Sequence, residues 1–460
     1  MRYEQLSYWM SSVDDELVAL PALGGDLDAD VAIVGAGFTG LWTAYYLHRA
    51  DPTLRIVVLE AQIAGFGASG RNGGWCSALL PTSPEELVHR HGRDAGLALV
   101  HAMQSTVDEV GRVTSEVGIA CDYAKGGTVI LARNNAQRAR GLAEVERARS
   151  YGLELAWLEA DEAVRRCGAT GVLGATYTPH CAAIHPARLV RGLARVVRGR
   201  GVRLFERTPA TAIVPAGSGS RAMVRTPGGT VRADVVVRAT EAYTARLPGL
   251  RRRVVPLYSL MIATEPLPSS FWAQAGLAGR ETFGDFRNLI IYGQRTSDDR
   301  FAFGGRGAPY HWGSAIRPGF DQVPRVHAAL HAALRELFPA IEDAAITHTW
   351  GGPLAAPRDW TASAGFDRRR GIAWGGGYVG DGVSTANLAG RTLAALIRET
   401  GDDLTRLPWV NHRSPDWEPE PLRFAAINAL TRVMGGADRA EERTGRPARR
   451  AALVNRLLGH

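Results

Sequence analysis

The sequence predicts an α/β fold in which a dinucleotide-binding domain is interleaved with an α+β domain built on a mainly antiparallel sheet. Two observations carry this prediction. First, the apolar segment 31–34 runs into a glycine-rich turn at 35–40, and a second strand-like segment, 55–59, ends on an acid. Second, the segments 233–240 and 372–383 again join an apolar strand to small residues. The chain is therefore expected to leave the first sheet and return to it twice.

The turn at 35–40 has the spacing G-x-G-x-x-G of a dinucleotide-binding βαβ unit. Gly35 permits the tight turn, Gly37 lets a pyrophosphate approach the backbone, and Gly40 lets the helix pack close to the strand. The unpaired N–H groups and dipole at the start of that helix favour an anion. Glu60, twenty positions after Gly40, is placed to accept hydrogen bonds from ribose hydroxyls. A Rossmann-type site is expected here.

A second glycine-rich segment, residues 61–75, follows Glu60 directly. So many small residues would allow its backbone to lie flat against a ring system or phosphates. The alternative is a flexible surface loop. The first interpretation is favoured because a loop in this position emerges beside the bound dinucleotide.

The remaining elements follow from apolar spacing and turn residues. A leader before residue 28, with Tyr8 and Trp9, is expected on the surface of the first domain. Helices are expected at 84–118, 135–151, 185–198, 324–338, 384–399 and 421–434. Strands are expected at 127–132, 202–205, 222–226, 231–239, 254–264, 288–292 and 300–304.

These elements predict a discontinuous domain organisation. The dinucleotide-binding domain is expected to comprise residues 28–95, 180–250 and 345–400, and the substrate domain residues 96–179 and 251–344. Residues 401–460 are expected to form a C-terminal helical tail.

Composition excludes several classes of protein. The 460 residues are 45% hydrophobic and 22% charged, as in ordinary globular proteins. The net charge of +8 suggests nucleic acid, but the basic residues are scattered and Lys125 is the only lysine, so no nucleic-acid partner is expected. The Arg-rich tail is interpreted as a solvated face. The most apolar window, 31–47, is interrupted by glycines, so no membrane span is expected.

The four cysteines, Cys76, Cys121, Cys167 and Cys181, are widely spaced and contain no C-x-x-C pair. They are typical of reduced thiols in a cytoplasmic protein. The start of the chain, residues 1–15, lacks a basic region followed by an apolar run, so no secretory signal is expected. His180, Cys181 and His185 could gather a metal, but without a second ligand cluster a structural role is favoured and no metal is expected.

Three glycine-rich stretches now line up: 35–40 with Glu60, 67–74, and 377–383. Together they resemble the FAD-dependent oxidoreductases of the D-amino-acid oxidase superfamily, which includes glycine and sarcosine oxidases. The nearest likeness is to the gamma-glutamylputrescine oxidase-like branch and its aminophosphonate oxidoreductase relatives, which segments 239–243, 251–256 and 262–267 also resemble. The similarity spans about residues 7–400.

The resemblance implies a bound FAD with its pyrophosphate at Gly35–Gly40, its ribose at Glu60, and its flavin near 69–74 and 380–383. Relatives that link the flavin covalently use a Cys before the last glycine loop or a His near the second loop. Segments 350–353 and 71–72 contain neither, so the FAD is expected to be noncovalent. The implied cofactor-binding residues are Gly35, Gly37, Phe38, Thr39, Gly40, Glu60, Ala61, Gly67, Ala68, Ser69, Arg71, Asn72, Gly73, Gly74, Ala239, Thr240, Gly377, Tyr378, Gly380, Asp381, Gly382 and Val383.

The chemistry that the resemblance implies is hydride transfer from the carbon next to an amine onto flavin N5, giving an imine that water hydrolyses. The substrate is a small-molecule amine, amino acid or aminophosphonate, in some cases anionic, held under a roof formed by the second sheet. Arg306 could clamp a carboxylate or phosphonate bidentately, although a surface or domain-bridging role is an equal alternative. The candidate substrate-site residues are Trp75, Tyr258, Tyr292, Arg306 and Trp350.

The electron acceptor is left open. Sarcosine oxidases place a lysine over the flavin on a strand resembling 300–304, and this strand has no lysine. Dioxygen or another acceptor is therefore possible, and so is a dehydrogenase. Asp381 and Glu241 stand where relatives often carry His and Asn. The competing interpretations are an FAD monooxygenase, because Gly380-Asp381 is similar to the Gly-Asp pair of aromatic hydroxylases, and a nonenzymatic basic nucleic-acid-binding protein.

Overall fold

Two eight-stranded β-sheets organise the chain, whose residues 2–448 are described by the computed structural model. The strands are β1 Leu27–Val34, β2 Ile56–Leu59, β3 Trp75–Ser77, β4 Thr128–Ala132, β5 Ala156–Leu158, β6 Gly174–Thr178, β7 Cys181–Ala183, β8 Arg203–Phe205, β9 Ala212–Val214, β10 Ala222–Thr226, β11 Gly229–Arg238, β12 Val255–Thr264, β13 Thr282–Asp285, β14 Ile291–Arg295, β15 Phe301–Gly305, β16 Ile346–Ala356, β17 Ser363–Asp367 and β18 Ile372–Gly376. The helices are α1 Tyr8–Ser11, α2 Phe38–Ala50, α3 Pro84–His91, α4 Arg93–Glu116, α5 Asn135–Ser150, α6 Ala160–Arg166, α7 Pro186–Gly199, α8 Ser269–Ala275, α9 Pro324–Leu337, α10 Gly382–Arg398 and α11 Leu422–Thr444.

The first sheet, called here the nucleotide sheet, has the order β17-β18-β11-β1-β2-β8, and a β9-β10 hairpin pairs with β11. Strands β18, β11, β1, β2 and β8 run parallel. Their residues are nearly continuous in apolar character because both faces are buried. The predicted return of the chain to this sheet is confirmed, since β11 lies beside β1 and β18 lies beside β11.

The second sheet, called here the roof sheet, has the order β16-β12-β15-β14-β13-β4-β6-β5. Its neighbours are antiparallel except for β13 and β4, as the sequence predicted. Its outer face packs an aromatic cluster that includes Phe271, Trp272, Phe283, Phe301 and Phe338. Its inner face is turned toward the second glycine loop.

Several elements differ from the sequence-based expectation. The helix expected at 84–118 is two helices, because Gly92 adopts a left-handed φ of 82° between α3 and α4. The strand expected at 288–292 is β14, shifted to Ile291–Arg295. The strands that were not foreseen are β3, β5, β6, β7, β9, β13, β16 and β17. Much of the leader lies on the surface as expected, but Tyr8, Trp9 and Met10 are buried against residues of the roof sheet and of α7.

The packing also departs from the expected domain boundaries. Helix α4, placed by sequence in the substrate domain, packs on α10 and contributes Leu99, Val107 and Val110 to the core around α2. Strand β16, placed by sequence in the dinucleotide-binding domain, is the edge of the roof sheet. We therefore propose that α4 belongs with the nucleotide sheet and that residues 346–356 belong with the roof.

The tail contains a longer helix than expected, α11, which lies against the roof unit. Asp438 accepts hydrogen bonds from the backbone N–H groups of Asn288 and Leu289, and Glu441 pairs with Arg140 at 2.7 Å. The part of the predicted tail at 449–460 lies outside the described residues. Within residues 2–448, each helix is too short or too polar to cross a bilayer.

Candidate active site

A cavity of about 580 Å³ lies where β1, β2 and β11 end and extends toward the roof sheet. The ends of parallel strands are where ligands bind in open α/β sheets. Eighteen residues proposed from the sequence line it: Gly35, Gly37, Phe38, Thr39, Glu60, Ala61, Gly67, Ala68, Ser69, Arg71, Asn72, Ala239, Thr240, Tyr258, Tyr378, Gly380, Gly382 and Val383.

The backbone of the first glycine turn leaves no room for a side chain at two of its glycines. Gly35 has a φ of 107°, and a Cβ there would lie 2.5 Å from the carbonyl oxygen of Ala239. A Cβ on Gly40 would overlap the carbonyl oxygen of Gly35. Gly40 therefore faces the turn itself from inside α2 and contributes to the site through close packing, outside the cavity wall.

Glu60 closes the far end of this turn. Its Oε2 accepts from the N–H of Ala36 at 2.8 Å, and its Oε1 accepts from the N–H of Gln62 at 2.9 Å. Burial raises the pKa of Glu60 to about 7, against these two hydrogen bonds. The carboxyl is thus fixed at the end of β2, where ribose hydroxyls could donate to it.

Two helix starts face the cavity. Gly37, Phe38 and Thr39 begin α2, and Gly382 and Val383 begin α10. The Thr39 hydroxyl lies 2.9 Å from the Tyr378 hydroxyl, which links the two starts. At Asp381, the N-cap of α10, the side chain makes no capping hydrogen bond within the described residues. Both starts therefore present N–H groups and positive dipole ends to one space.

The second glycine loop is tightly held. Ser69 Oγ accepts from the N–H of Phe38 at 2.9 Å. Asn72 Oδ1 accepts from the N–H of Gly74, and Arg71 donates to the carbonyl oxygen of Phe66. Arg71 also pairs with Asp321 at 3.1 Å, although its side chain is only 6% exposed. The loop is an ordered wall, as expected from its position beside the first turn.

Tyr292, Arg306 and Trp75 come together under the inner face of the roof. The Tyr292 hydroxyl lies 2.7 Å from Ser259 Oγ, and the Trp75 and Tyr292 rings meet edge to face with centroids 6.0 Å apart. A Cβ on Gly73 would lie 2.6 Å from the Tyr292 ring. These side chains therefore lie directly above the end of the second glycine loop.

Asp381 and Arg306 form the charged part of this cluster. Burial raises the pKa of Asp381 to about 6, and the nearby positive charge of Arg306 opposes the rise. Burial lowers the pKa of Arg306, and the charge of Asp381 opposes that change. An acid and a guanidinium thus influence each other's charge near the start of α10 without forming a described ion pair, in surroundings that disfavour either charge alone.

The part of the third glycine-rich stretch that precedes Asp381, the N-cap of α10, together with Gly376, is called here the third glycine loop (376–380). It contains a strained residue. Val379 has a φ of 53°, a conformation that is costly for a β-branched side chain. Gly377 stands in the same loop, with its hydrogens against Pro357. Strain of this kind persists only where surrounding contacts impose it, and it marks the loop as a functional segment.

Two proposed residues are placed differently from the expectation. Tyr258 lies on the opposite face of β12 from Ser259, because successive strand residues alternate, so it does not share a wall with Tyr292. Tyr258 lines the cavity, near His311 and Phe320, whereas Trp75, Tyr292, Arg306 and Asp381 are not among the residues that line it. Trp350 is 1% exposed behind the second glycine loop, and its indole N–H donates to the carbonyl oxygen of Arg71. Its ring therefore supports the loop and lies outside the substrate space.

Several cavity residues were missed by sequence reasoning. Tyr243, Arg246 and Glu241 follow the first return strand, β11, and the long connection 306–323 brings Arg317 and Asp321 to the cavity wall. The length of that connection was an available signal, because loops longer than about 12–15 residues are usually functional. Glu241 was noted only as a departure from relatives, yet its Oε1 accepts from the N–H of Tyr378 at 3.1 Å.

The histidine and cysteine cluster near residue 180 has structural contacts. His185 caps α7 through Nδ1 and lies 3.0 Å from Ser12 Oγ through Nε2. Thr282 donates to Cys181. Across residues 2–448, there is no group of three or more His, Cys, Asp or Glu side chains arranged to hold a metal.

A nucleotide site at the strand ends, covered by an antiparallel roof, defines the class of two-domain flavoprotein oxidoreductases. Residues 30–396 match the family model DAO, described as FAD dependent oxidoreductase, and the chain belongs to this family. It is 31% identical to gamma-glutamylputrescine oxidoreductase of Escherichia coli strain K12 over 441 residues, covering 92% of this chain and 96% of that one. It is 29% identical to a probable oxidoreductase, OrdL, of Haemophilus influenzae, covering 86% and 88%.

The fold is also similar to that of a solved flavoenzyme. Glycine oxidase from Geobacillus kaustophilus superposes with a TM-score of 0.69 at 23% identity, covering 84% of this chain and 99% of that one. This similarity concerns the fold.

The residues of the cavity fit FAD, on which the family depends. Two helix starts face one space, and their N–H groups and positive dipole ends would stabilise an anionic pyrophosphate and an electron-rich ring. Glu60 stands at one end of that space, and Oε2 of Glu241 is buried without a hydrogen-bond partner among the described residues. A ligand with hydroxyl and N–H donors would meet both carboxyl groups.

Proposed function

We propose that this protein oxidises the C–N bond of a small amine, amino acid or aminophosphonate. The observation that carries the proposal is the position of Tyr292, Arg306 and Asp381 above Gly73 and at the start of α10. These groups lie beside the glycine loops proposed to hold the flavin, where a substrate could meet it. FAD, when bound, supplies a hydride acceptor at N5, and water then hydrolyses the imine product.

The residues of the chain would prepare the substrate. Hydride transfer needs a neutral amine, and Asp381, whose pKa is raised to about 6, could accept a proton from an ammonium group at neutral pH. Tyr292 and Trp75 would form an aromatic wall that holds the amine in place and excludes water. The N–H groups at the start of α10 would favour negative charge beside them.

Arg306 would select substrates with an anionic group. Its Nη2 donates to the carbonyl oxygen of Val379 at 2.8 Å, and its guanidinium lies over the Trp360 ring at 5.3 Å. A guanidinium has five N–H donors, so the contact with Val379 leaves others for a carboxylate or phosphonate. We propose that binding of an anionic group by Arg306 determines which class of amine is oxidised.

The relatives support an amine substrate. The Escherichia coli relative is a gamma-glutamylputrescine oxidoreductase by name, and a relative 26% identical over 396 residues is the glycine oxidase of Geobacillus kaustophilus. Both names specify amines. Strand β15 contains no lysine. The electron acceptor is therefore dioxygen or another oxidant, and experiment must identify it.

Two further properties belong to the proposal. The FAD would be noncovalent, because the sequence carries neither attachment residue that relatives use. The protein would act in the cytoplasm, where its four buried cysteines, which are free, would remain reduced.

The decisive experiment is anaerobic bleaching of the flavin. The purified protein is mixed with a panel of primary and secondary amines, amino acids and aminophosphonates, including gamma-glutamylputrescine. Air is then admitted and reoxidation is timed. Bleaching by an amine supports the proposal, and slow reoxidation would identify a dehydrogenase. If no amine bleaches the flavin but NADPH does, the protein is a monooxygenase and the proposal is wrong.

A further inference from the structure

The leader occupies an unexpected place. Helix α1 lies between α7 and the roof sheet, with Trp9 only 1% exposed and the preceding Ser7 buried as well. Ser7 Oγ caps α1 by accepting from the N–H of Met10. A segment that sequence reasoning left on the surface is therefore among the most buried in the molecule.

The leader bonds to the second glycine loop through side-chain donors. Ser7 Oγ donates to the carbonyl oxygen of Gly70 at 2.7 Å, and Trp9 Nε1 donates to that of Asn72 at 2.8 Å. The carbonyl oxygen between them, on Arg71, accepts from Trp350 Nε1 at 2.9 Å. Three consecutive peptide carbonyls are thus bound by donors from outside the loop.

These three bonds fix the orientation of the loop backbone. The three donors come from outside the cavity wall, since Ser7, Trp9 and Trp350 are not among the residues that line the cavity, whereas Ser69, Arg71 and Asn72 of the loop are. A peptide plane whose carbonyl is bound cannot rotate without breaking that hydrogen bond. The loop can therefore present one arrangement to whatever the cavity holds.

The leader is also attached to the roof. Tyr8 donates its hydroxyl hydrogen to Asp298, and its ring lies under the Arg300 guanidinium at 5.5 Å. Its ring also contacts His348, with centroids 5.4 Å apart. The same short segment therefore touches the cofactor loop and the roof sheet.

We propose that Ser7, Trp9 and Trp350 form a clamp that positions the loop 67–74 for the cofactor, and that the leader sets FAD affinity and flavin environment. This inference rests on the proposed contact of FAD with that loop. The three residues are positioning residues, since they act through the carbonyls of Gly70, Arg71 and Asn72.

The test removes single donors from the full-length holoenzyme. Trp9→Phe keeps an aromatic ring and deletes the N–H, and Ser7→Ala deletes the hydroxyl while Ser7→Thr restores it. Trp374→Phe is the matched control, because Trp374 Nε1 donates to Ser363 Oγ at 3.1 Å in the nucleotide sheet, away from the loop. FAD dissociation is measured from the recovery of free-flavin fluorescence, together with the visible spectrum and reduction potential of the bound flavin.

FAD is expected to bind about 3- to 10-fold more weakly to Trp9→Phe and to Ser7→Ala, because each variant loses one hydrogen bond. A shifted flavin spectrum or potential should accompany it, and Ser7→Thr and Trp374→Phe should resemble the wild type. Wild-type FAD affinity in both donor variants would overturn the clamp, as would an equal loss in Trp374→Phe. If Trp9→Phe does not fold, the Ser7 pair decides.

The assay requires no substrate, so it separates two failures. A protein that holds FAD through the clamp but is bleached by no amine contradicts the proposed function alone. A protein that is bleached by an amine but whose variants keep FAD fully contradicts the clamp alone.

Discussion

Arg306 donates from Nη2 to the carbonyl oxygen of Val379 over 2.8 Å, which joins the end of β15 to the loop before α10. The N–H of Val379 donates to the carbonyl oxygen of Ala355 in β16. Both polar backbone groups of a residue with a φ of 53° are thus held by the roof unit. The roof therefore imposes the strained conformation of the third glycine loop.

Arg306→Gln is expected to discriminate between substrates. The change removes the charge that would bind an anionic group, so kcat/KM for anionic amines should fall about 10- to 100-fold. For neutral amines, kcat/KM should fall only as far as the change at Arg306 disturbs the third glycine loop, to which this side chain donates a hydrogen bond. The measurement is steady-state kinetics on anionic and neutral amines of similar size. Arg306→Lys, which keeps the charge without the planar fork, is the control. Equal losses of kcat/KM on both substrate types would contradict the proposed binding of an anionic group by Arg306.

Asp381→Asn is expected to change the pH dependence of flavin bleaching. The pKa of Asp381 is raised to about 6, so the carboxyl becomes protonated as the pH falls through 6 and cannot then accept a proton. The wild-type rate should therefore decline below about pH 6, and the variant should lack that limb. Single-turnover bleaching is measured from pH 5 to 9 with two amines of different pKa. A limb that moves with the amine would belong to the substrate and would exclude Asp381.

Glu241→Gln is expected to stabilise the protein at alkaline pH. Burial raises the pKa of Glu241 to about 7, above its ordinary value, so the folded state binds the proton more tightly than the unfolded state. The stability associated with this group is complete below about pH 4.5 and is lost as the pH rises through 7. The variant should gain about 1–3 kcal/mol relative to the wild type at pH 8 and little at pH 5. Unfolding in denaturant at both pH values measures the difference, and a pH-independent difference would refute the assignment.

Gly40→Ala is expected to destabilise the protein and abolish FAD binding. A Cβ at this position would overlap the carbonyl oxygen of Gly35, and backbone atoms cannot move aside as a side chain can. A loss of several kcal/mol, about the size of other severe core changes, is expected. Gly199→Ala is the matched control at the end of α7, where the added Cβ would have no described atom within 4 Å other than those of its chain neighbours and of the helix's own backbone. Thermal unfolding and bound flavin should distinguish the two variants, and similar behaviour would contradict the packing argument.

Local patterns predicted the strands, the turn and the helix that form the proposed cofactor half of the site. The turn at 35–40, its helix and Glu60 lie within one βαβ unit, so their geometry follows from residue type and spacing. The returns of the chain at β11 and β18 were equally visible, because buried parallel strands are apolar throughout.

The substrate half depended on pairings that spacing does not encode. Tyr258 and Tyr292 were both expected near the substrate under the roof, but the alternation of β12 places Tyr258 on the opposite face from Ser259, the partner of Tyr292. Trp350 lies in a segment with two glycines and a proline that reads as a loop, and only its pairing with β12 makes it a strand. Trp9 is buried by partners 63 residues away or more, which no local pattern reveals.

The clamp on the second glycine loop has a consequence for biosynthesis. Ser7 and Trp9 leave the ribosome before their partners, since Asp298 and Trp350 emerge after about 290 and 340 further residues. At about 5–20 residues per second, the leader must wait roughly 20–70 s for Trp350. During that interval Trp9 is an exposed aromatic side chain, open to chaperones. The loop can thus reach its final form only after Trp350 has emerged, and flavin loading should follow that point in synthesis.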